Sequence, residues 1–156
     1  MSVPPISISR EDPELPEAKL CLRAYFALLV DRIPGISSTH VPDPDPEADA
    51  YRPPDGTFLI AWSDAQPLAC VSLKRHEGST GEIKRLWVDP AARGIGLARR
   101  MMTAVEAEAR ALGFTGLVLD TNGALTEAIA LYRATGWHDT EPYTGFPATH
   151  WFAKPL

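Results

Sequence analysis

Apolar residues along this chain follow two different spacings, and each spacing predicts one type of element. Short stretches in which apolar and polar residues alternate, or in which a few apolar residues stand between turn residues, predict β-strands. These stretches are residues 6–9, 57–62, 67–74, 81–88, 116–121, 137–141 and 150–154. The polar residues 63–66 between the second and third stretches predict a hairpin turn.

Longer segments, in which apolar residues recur every three or four positions, predict α-helices. The predicted helices are residues 13–33, 95–112 and 126–135. Glycines, which end many helices, follow them at Gly35, Gly113 and Gly136. Hairpin strands, then two strand–helix units, then closing strands predict an α+β domain with a central mixed sheet.

Segment 37–56 lies between the first helix and the hairpin and is rich in proline and acidic residues. This composition predicts a loop with at most one helical turn. Asp43, Asp45, Glu47 and Asp49 form an acidic run within it. Two interpretations are open for this acidic loop: a solvated surface segment, or one wall of a substrate site.

The composition is that of a globular protein, and 156 residues are enough for one domain, so a single domain over residues 1–156 is expected. Hydrophobic residues make up 45% of the chain and charged residues 22%, which are ordinary proportions. No apolar run approaches the roughly 20 residues that span a membrane, and the first residues lack the pattern of a secretion signal. We therefore expect a cytoplasmic protein without a membrane partner.

The cysteines, the histidines and the net charge limit which bonds, metals and partners are expected. Cys21 and Cys70 each lie in an apolar segment, which predicts buried free thiols in a reducing compartment. The four histidines show no ligand spacing, so no metal site is expected. The formal net charge is -5 and no block of basic residues occurs, so a nucleic-acid partner is not expected.

The stretch after the fourth predicted strand contains the strongest functional pattern. The strand ends at Val88, a turn follows, and the residues from Arg93 to Ala98 open a helix. Gly94 and Gly96 leave backbone N–H groups uncovered at the start of this helix, where the helix dipole adds partial positive charge. This combination predicts a pyrophosphate-binding site.

The spacing of these glycines decides which pyrophosphate ligand is expected. A dinucleotide pattern would need a third small residue where Arg99 stands, and a Walker A lysine is absent from the sequence. Arg93, Gly96 and Ala98 instead fit Arg-x-x-Gly-x-Ala, which resembles the acyl-CoA-binding signature of the GNAT superfamily of N-acetyltransferases. A second stretch resembles the helix after the fifth strand of that family, on residues Ala128, Leu131, Tyr132, Gly136 and Trp137.

The resemblance covers residues 81–137 and implies the GNAT fold, a mainly antiparallel central sheet flanked by helices in three layers. It also implies acetyl-CoA as the cosubstrate, an amine as the acceptor and no metal. Members of this family often dimerise through their late strands, so a homodimer is compatible with the resemblance. The end of the chain, residues 141–152, is similar to that of bacterial members.

Residues that match the acyl-CoA site of the family are expected to bind the cosubstrate. They are Leu86, Trp87, Val88, Arg93, Gly94, Ile95, Gly96, Leu97, Ala98, Arg99, Asn122 and Tyr132. The backbone N–H group at Val88 is expected to meet the thioester oxyanion, while Arg99 and Arg100 either reach the 3′-phosphate of CoA or are solvated. Leu125 stands where many members have a pantetheine-binding asparagine, and Asn122 is the expected substitute.

Two residues are expected to handle protons. Tyr132 matches the general acid of the family, because a phenol with a pKa near 10 stays protonated at pH 7 and can donate to a thiolate; the alternative is a core tyrosine. Glu82 is the predicted general base, with an ion pair to Lys84 or to a cross-strand lysine as the alternative. Glu127 and His150 are lesser candidates for the base.

These features predict an N-acetyltransferase in which the amine attacks the thioester directly, because neither cysteine has a helper residue nearby in sequence. A primary amine of a small molecule is the expected acceptor, and a protein lysine or N-terminal amine is the second choice. Tyr143 and Phe146 either frame the acceptor pocket or belong to a surface connection. The alternative from another class is a catalytically silent regulatory module that binds acyl-CoA.

Overall fold

The computed structural model describes residues 5–36 and 44–156. Within these residues, seven strands form one sheet in the order β1-β2-β3-β4-β5-β7-β6. The strands are β1 (Ile6–Arg10), β2 (Gly56–Ser63), β3 (Gln66–Glu77), β4 (Thr80–Val88), β5 (Gly116–Thr121), β6 (His138–Asp139) and β7 (His150–Pro155). Only β4 and β5 are parallel neighbours, so the predicted mixed, mainly antiparallel sheet is confirmed.

Three α-helices cover the two faces of this sheet. They are α1 (Pro16–Arg32), α2 (Leu97–Ala111) and α3 (Thr126–Ala134). On one face, Cys21 and Leu22 of α1 pack with Phe58 and Cys70 of the sheet. On the other face, α2 packs a larger core, and α3 adds to it. The members of this larger core include Leu59, Val71, Leu97, Met101, Val105, Leu117, Leu119, Tyr132 and Phe152.

The helix boundaries differ slightly from the prediction, for local backbone reasons. Helix α1 begins at Pro16, because the preceding residues form a turn in which the Asp12 carboxylate accepts a hydrogen bond from the N–H group of Glu14. Helix α2 begins at Leu97, because Gly96 has a φ of 75°, which lies outside the helical region. The acidic loop contains one helical turn, at Ala48–Tyr51, and residues 37–43 of this loop lie outside the described residues.

Strands β4 and β5 separate soon after they begin. They pair from Thr80 to Glu82 on β4 and from Gly116 to Val118 on β5, and no later residue of either strand pairs with the other. A parallel ladder that stops in mid-strand leaves backbone groups of both strands without sheet partners. The separation therefore opens a gap in the middle of the sheet.

A bulge in β4 accompanies this separation. Cys70 and Ser72 of β3 pair with Trp87 and Lys84 of β4, so β4 holds one extra residue between these two pairs. Arg85 within the bulge has a φ of 59°, a left-handed value that is uncommon outside glycine. The bulge bends β4 and redirects its side chains next to the gap.

Gly56 opens β2 where two other backbone segments pass very close to it. A Cβ atom at this position would lie 2.2 Å from the carbonyl oxygens of Ala50 and Leu73. We expect Gly56→Ala to lower the free energy of unfolding by about 2 kcal/mol or more, because backbone must move to make room. Urea unfolding measures this change. Gly116→Ala is the control, since the nearest atom there is at 3.8 Å, and equal stability of the two variants would contradict the packing described.

Candidate active site

A cavity of about 370 Å³ lies along β4, the turn that follows it and the first turn of α2. Most of the residues predicted to bind the cosubstrate line this cavity. They are Leu86, Trp87, Val88, Arg93, Gly94, Gly96, Leu97, Ala98 and Arg99. The lining residues run from Leu86 of β4 to the N-terminus of α2.

The N-terminus of α2 provides a cradle for an anion. Gly94 and Gly96 have φ values of 81° and 75°, and no atom lies within 4 Å of the Cβ position at either glycine. Within residues 5–36 and 44–156, the N–H groups of Ile95 and Gly96 donate no hydrogen bond. Unpaired N–H groups at the positive end of a helix dipole fit a pyrophosphate, and the guanidinium of Arg93 stands in the same wall.

Helices α1 and α3 form the opposite wall of this cavity. Arg32 of α1 donates from Nη1 to both carboxylate oxygens of Glu127 on α3, at 2.8 and 2.7 Å. This hydrogen bond lowers the pKa of Glu127 below its ordinary value. Leu125 also lines the cavity, at the position where the family resemblance led us to expect an asparagine. The wall beside the expected pantetheine path is therefore mostly apolar.

A second cavity, of about 330 Å³, lies on the other side of Tyr25, which lines both cavities. Its walls come from α1, from the bulge of β4, from the end of β5 and from the connection before β7. The lining residues are Tyr25, Phe26, Leu29, Ile33, Glu47, Lys84, Arg85, Asp120, Thr121, Asn122, Leu125, Thr144, Gly145, Phe146, Pro147 and Ala148. Phe146 lines this cavity. Tyr143 does not line it, and its ring packs against the ring of His76.

A small cavity of about 50 Å³ occupies the gap between β4 and β5 and shares walls with both larger cavities. Tyr132 and Asp120 both line it. Tyr132 is 5% exposed, and its hydroxyl makes no hydrogen bond to any described residue. Burial raises the pKa of Tyr132 above its ordinary value, so the phenol keeps its proton at neutral pH.

Asp120 and Tyr25 are two residues of this region that the sequence analysis missed. The Asp120 carboxylate accepts a hydrogen bond of 2.6 Å from the Thr144 hydroxyl, which in turn accepts one of 2.9 Å from the indole N–H of Trp151. The position of Asp120 in the sequence was the available signal, because a charged residue there directly follows the apolar Leu-Val-Leu of β5. Tyr25 shows a weaker signal, a hydroxyl among the apolar residues of α1.

Two other predicted residues, Glu82 and Asn122, do not line the cavity in the gap. Glu82 is 3% exposed and accepts a hydrogen bond of 2.8 Å from the hydroxyl of Tyr143, but it lines none of the three cavities. Burial raises the pKa of Tyr143, and this hydrogen bond raises it further. The Asn122 amide donates to the carbonyl of Pro147 at 2.6 Å and accepts from the N–H group of Ala124 at 2.8 Å.

The remaining predicted residues are placed as follows. Ile95 is 50% exposed beside the cradle, and the guanidinium of Arg100 donates to the carbonyl of Ile6 at 3.3 Å. His150 lies 2.8 Å from the Thr149 hydroxyl and lines none of the three cavities. Within the acidic loop, Glu47 lines the second cavity and Asp49 pairs with Arg52, while Asp43 lies outside the described residues.

The described residues contain no helix with the length and hydropathy to span a membrane. Across the same residues, no group of three or more His, Cys, Asp or Glu side chains is arranged to hold a metal ion.

Comparisons with known proteins show the family of the chain. Residues 23–137 match the model of the acetyltransferase (GNAT) family. The IAA acetyltransferase of Azospirillum brasilense is 33% identical over 158 residues, which cover 99% of this chain and 100% of that protein.

Solved structures with the same fold include a GNAT-family acetyltransferase from Staphylococcus aureus, with a TM-score of 0.79, 16% identity and coverage of 97% and 99% of the two chains. The PaiA N-acetyltransferase of Thermoplasma acidophilum, solved with coenzyme A, has a TM-score of 0.71 and 16% identity, with coverage of 97% and 99%.

The protein is thus an acyl-CoA-dependent N-acyltransferase. It belongs to the acetyltransferase (GNAT) family, as the sequence resemblance predicted.

Gly96→Val tests the cradle at the start of α2. The new side chain would project into the open space at Gly96, so we expect affinity for CoA, measured by calorimetry, to fall at least about tenfold. Gly113→Val is the matched control, because Gly113 also has a left-handed φ, of 91°, and open space around it, but lies outside the cavity. Equal CoA affinity of the two variants would contradict the cradle.

Proposed function

We propose that the protein transfers an acetyl group from acetyl-CoA to a primary amine of a small molecule, by direct attack of the amine on the thioester. One observation carries this proposal: the two larger cavities meet at the gap between β4 and β5, where Tyr132 and Asp120 stand. The first cavity fits the cosubstrate, and the second offers a separate approach for the acceptor. A homodimer in the cytoplasm stays a prediction from the sequence.

The proposed reaction forms a bond between the amine nitrogen and the thioester carbonyl carbon. In the tetrahedral state the carbonyl oxygen carries negative charge, and the unpaired edge of β4 near Val88 supplies backbone N–H groups to it. The carbon–sulfur bond then breaks, and the Tyr132 hydroxyl donates its proton to the leaving thiolate. Before the attack, the ammonium gives one proton to a carboxylate, so that the nitrogen attacks as a neutral amine. The nitrogen loses a second proton as the amide forms, and this proton replaces the one that Tyr132 gave to the thiolate.

Two carboxylates compete for the role of accepting the proton of the ammonium. Asp120 lines both the gap and the second cavity, so it borders the space in which the amine would stand. Glu82, the base predicted from the sequence, is buried behind Tyr143 and would need that hydroxyl or a water molecule as a relay. We therefore propose Asp120 as the proton acceptor and keep Glu82 as the alternative.

A small-molecule acceptor is favoured by the shape of the second cavity. Residues 144–148 close one side of it and α1 closes the other, which leaves a volume of about 330 Å³. Cavities of this size commonly enclose small ligands. A lysine of a folded protein would have to reach past Phe146, which is 72% exposed at the rim.

Tyr132→Phe tests the general acid. The variant lacks the proton donor, so we expect kcat to fall about 100-fold or more while CoA affinity changes less than about twofold. Tyr51→Phe is the control, because it also removes a buried hydroxyl without a partner among the described residues, outside the three cavities. A thiol-release assay measures turnover, and unchanged kcat in Tyr132→Phe would exclude the role of Tyr132.

Asp120→Asn and Glu82→Gln together identify the proton acceptor. If the amine gives its proton directly to Asp120, kcat/KM falls at least about 100-fold in Asp120→Asn and less than about tenfold in Glu82→Gln. Both substitutions keep the size of the side chain, so thermal unfolding is measured alongside to exclude a folding defect. A larger fall of kcat/KM in Glu82→Gln than in Asp120→Asn would show that Glu82 is the base.

A further inference from the structure

The bulge of β4 brings two consecutive cationic side chains to the same cavity. In a regular strand, neighbouring side chains point to opposite faces of the sheet. Because β4 carries an extra residue here and Arg85 has a left-handed φ, Lys84 and Arg85 both line the second cavity and the small cavity in the gap. An alternating pattern read from the sequence would have separated them.

The guanidinium of Arg85 is held in place but keeps unused donors. Its side chain is 10% exposed, and its carbon atom lies 5.6 Å from the ring centroid of Phe26 and 5.0 Å from that of Tyr51. Its ion pairs with Asp45 and Glu47 measure 3.3 and 3.5 Å, longer than strong charge-assisted hydrogen bonds. These bonds occupy two of its five N–H groups, so three have no partner among the described residues.

Lys84 has even fewer partners. Its ammonium lies 3.7 Å from the Glu82 carboxylate, and among the described residues it donates no hydrogen bond. The Lys84 side chain is 28% exposed, so water meets its free donors, and an anionic group of a ligand would replace that water. The second cavity therefore offers a site for an anion, beside the bulge.

A negative group lies close to these cations. Asp120 lines the same small cavity as Lys84 and Arg85, and this cavity measures only about 50 Å³. That volume holds about one or two water molecules. Positively and negatively charged side chains therefore line the same very small space. A ligand that satisfies them must carry a positive and a negative group close together.

We propose that the acceptor is an α-amino acid, whose carboxylate binds to Lys84 and Arg85 while its amine lies beside Asp120. This inference rests on the proposed function and specifies its substrate. One carbon atom separates the amine nitrogen from the carboxylate carbon in an α-amino acid, and Lys84, Arg85 and Asp120 also line the second cavity, whose volume of about 330 Å³ has room for such a ligand. The side chain of the amino acid extends into the wider part of the second cavity, beside Phe26 and Leu29.

Matched substrates test the carboxylate. The twenty common L-α-amino acids are assayed with acetyl-CoA against their carboxamides, and a further panel contains polyamines, decarboxylated amines and short peptides. For the amino acid that reacts best, we expect kcat/KM to exceed that of its carboxamide by about 10- to 100-fold, because the amide cannot accept charge-assisted hydrogen bonds equally well.

Lys84→Met provides an independent test of the same contact. We expect it to reduce the preference for the carboxylate over the carboxamide about tenfold or more, chiefly through a higher KM for the amino acid. Arg110→Met is the control, since it removes a positive charge from an exposed position outside the three cavities. If Lys84→Met unfolds, Lys84→Gln replaces it, and circular dichroism shows whether each variant is folded.

The outcomes separate this inference from the proposed function. Equal or faster reaction of carboxamides or decarboxylated amines would overturn the amino-acid inference and leave the acetyltransferase of small amines standing. Acetylation of peptides alone would overturn the amino-acid inference and favour a protein acceptor. If CoA binds but none of the tested amines causes release of CoA from acetyl-CoA, both the inference and the proposed function are contradicted. If Lys84→Met leaves the preference for the carboxylate over the carboxamide unchanged, the carboxylate site is overturned.

Discussion

The separation of β4 from β5 beyond Glu82 creates the space in which both cavities and the proposed catalytic residues meet. A continuous ladder would fill the middle of the sheet with hydrogen bonds and leave no room for a reaction. The early end of the pairing leaves backbone groups near Val88 unpaired and opens the gap that Tyr132 and Asp120 line. The large core between the sheet and α2 holds both strands in place, so the gap costs little of the overall packing.

The two larger cavities differ in the charged groups that line them, and so in the ligands that they favour. The start of α2 combines unpaired N–H groups, the helix dipole and Arg93, which together favour a pyrophosphate. The second cavity combines Lys84 and Arg85 with Asp120 and Glu47, so it presents both signs of charge. These charges favour the pyrophosphate of CoA at the first cavity and, under the proposed function, a small polar acceptor at the second; Tyr25 lines both cavities.

The sequence predicts the elements well, and most of the residues expected to bind the cosubstrate line one cavity, because both features depend on local patterns. Apolar spacing gave the order of strands and helices, and the paired glycines after β4 marked the start of α2. The acceptor side was harder to predict. The bulge at Arg85 has no signature among the residues around it, and Asp120 meets Tyr132 only because β5 and α3 fold together around the gap. The burial of Glu82 behind Tyr143 likewise depends on a contact between residues 61 positions apart.

A crystal structure of the protein with CoA bound would show where the acetyl group is transferred. We expect the pyrophosphate to lie over the N–H groups of Ile95 and Gly96, and the sulfur atom to lie in the gap between β4 and β5, beside the hydroxyl of Tyr132. CoA bound on another face, or a sulfur atom remote from this gap, would contradict the assignment of the gap as the place where the acetyl group is transferred.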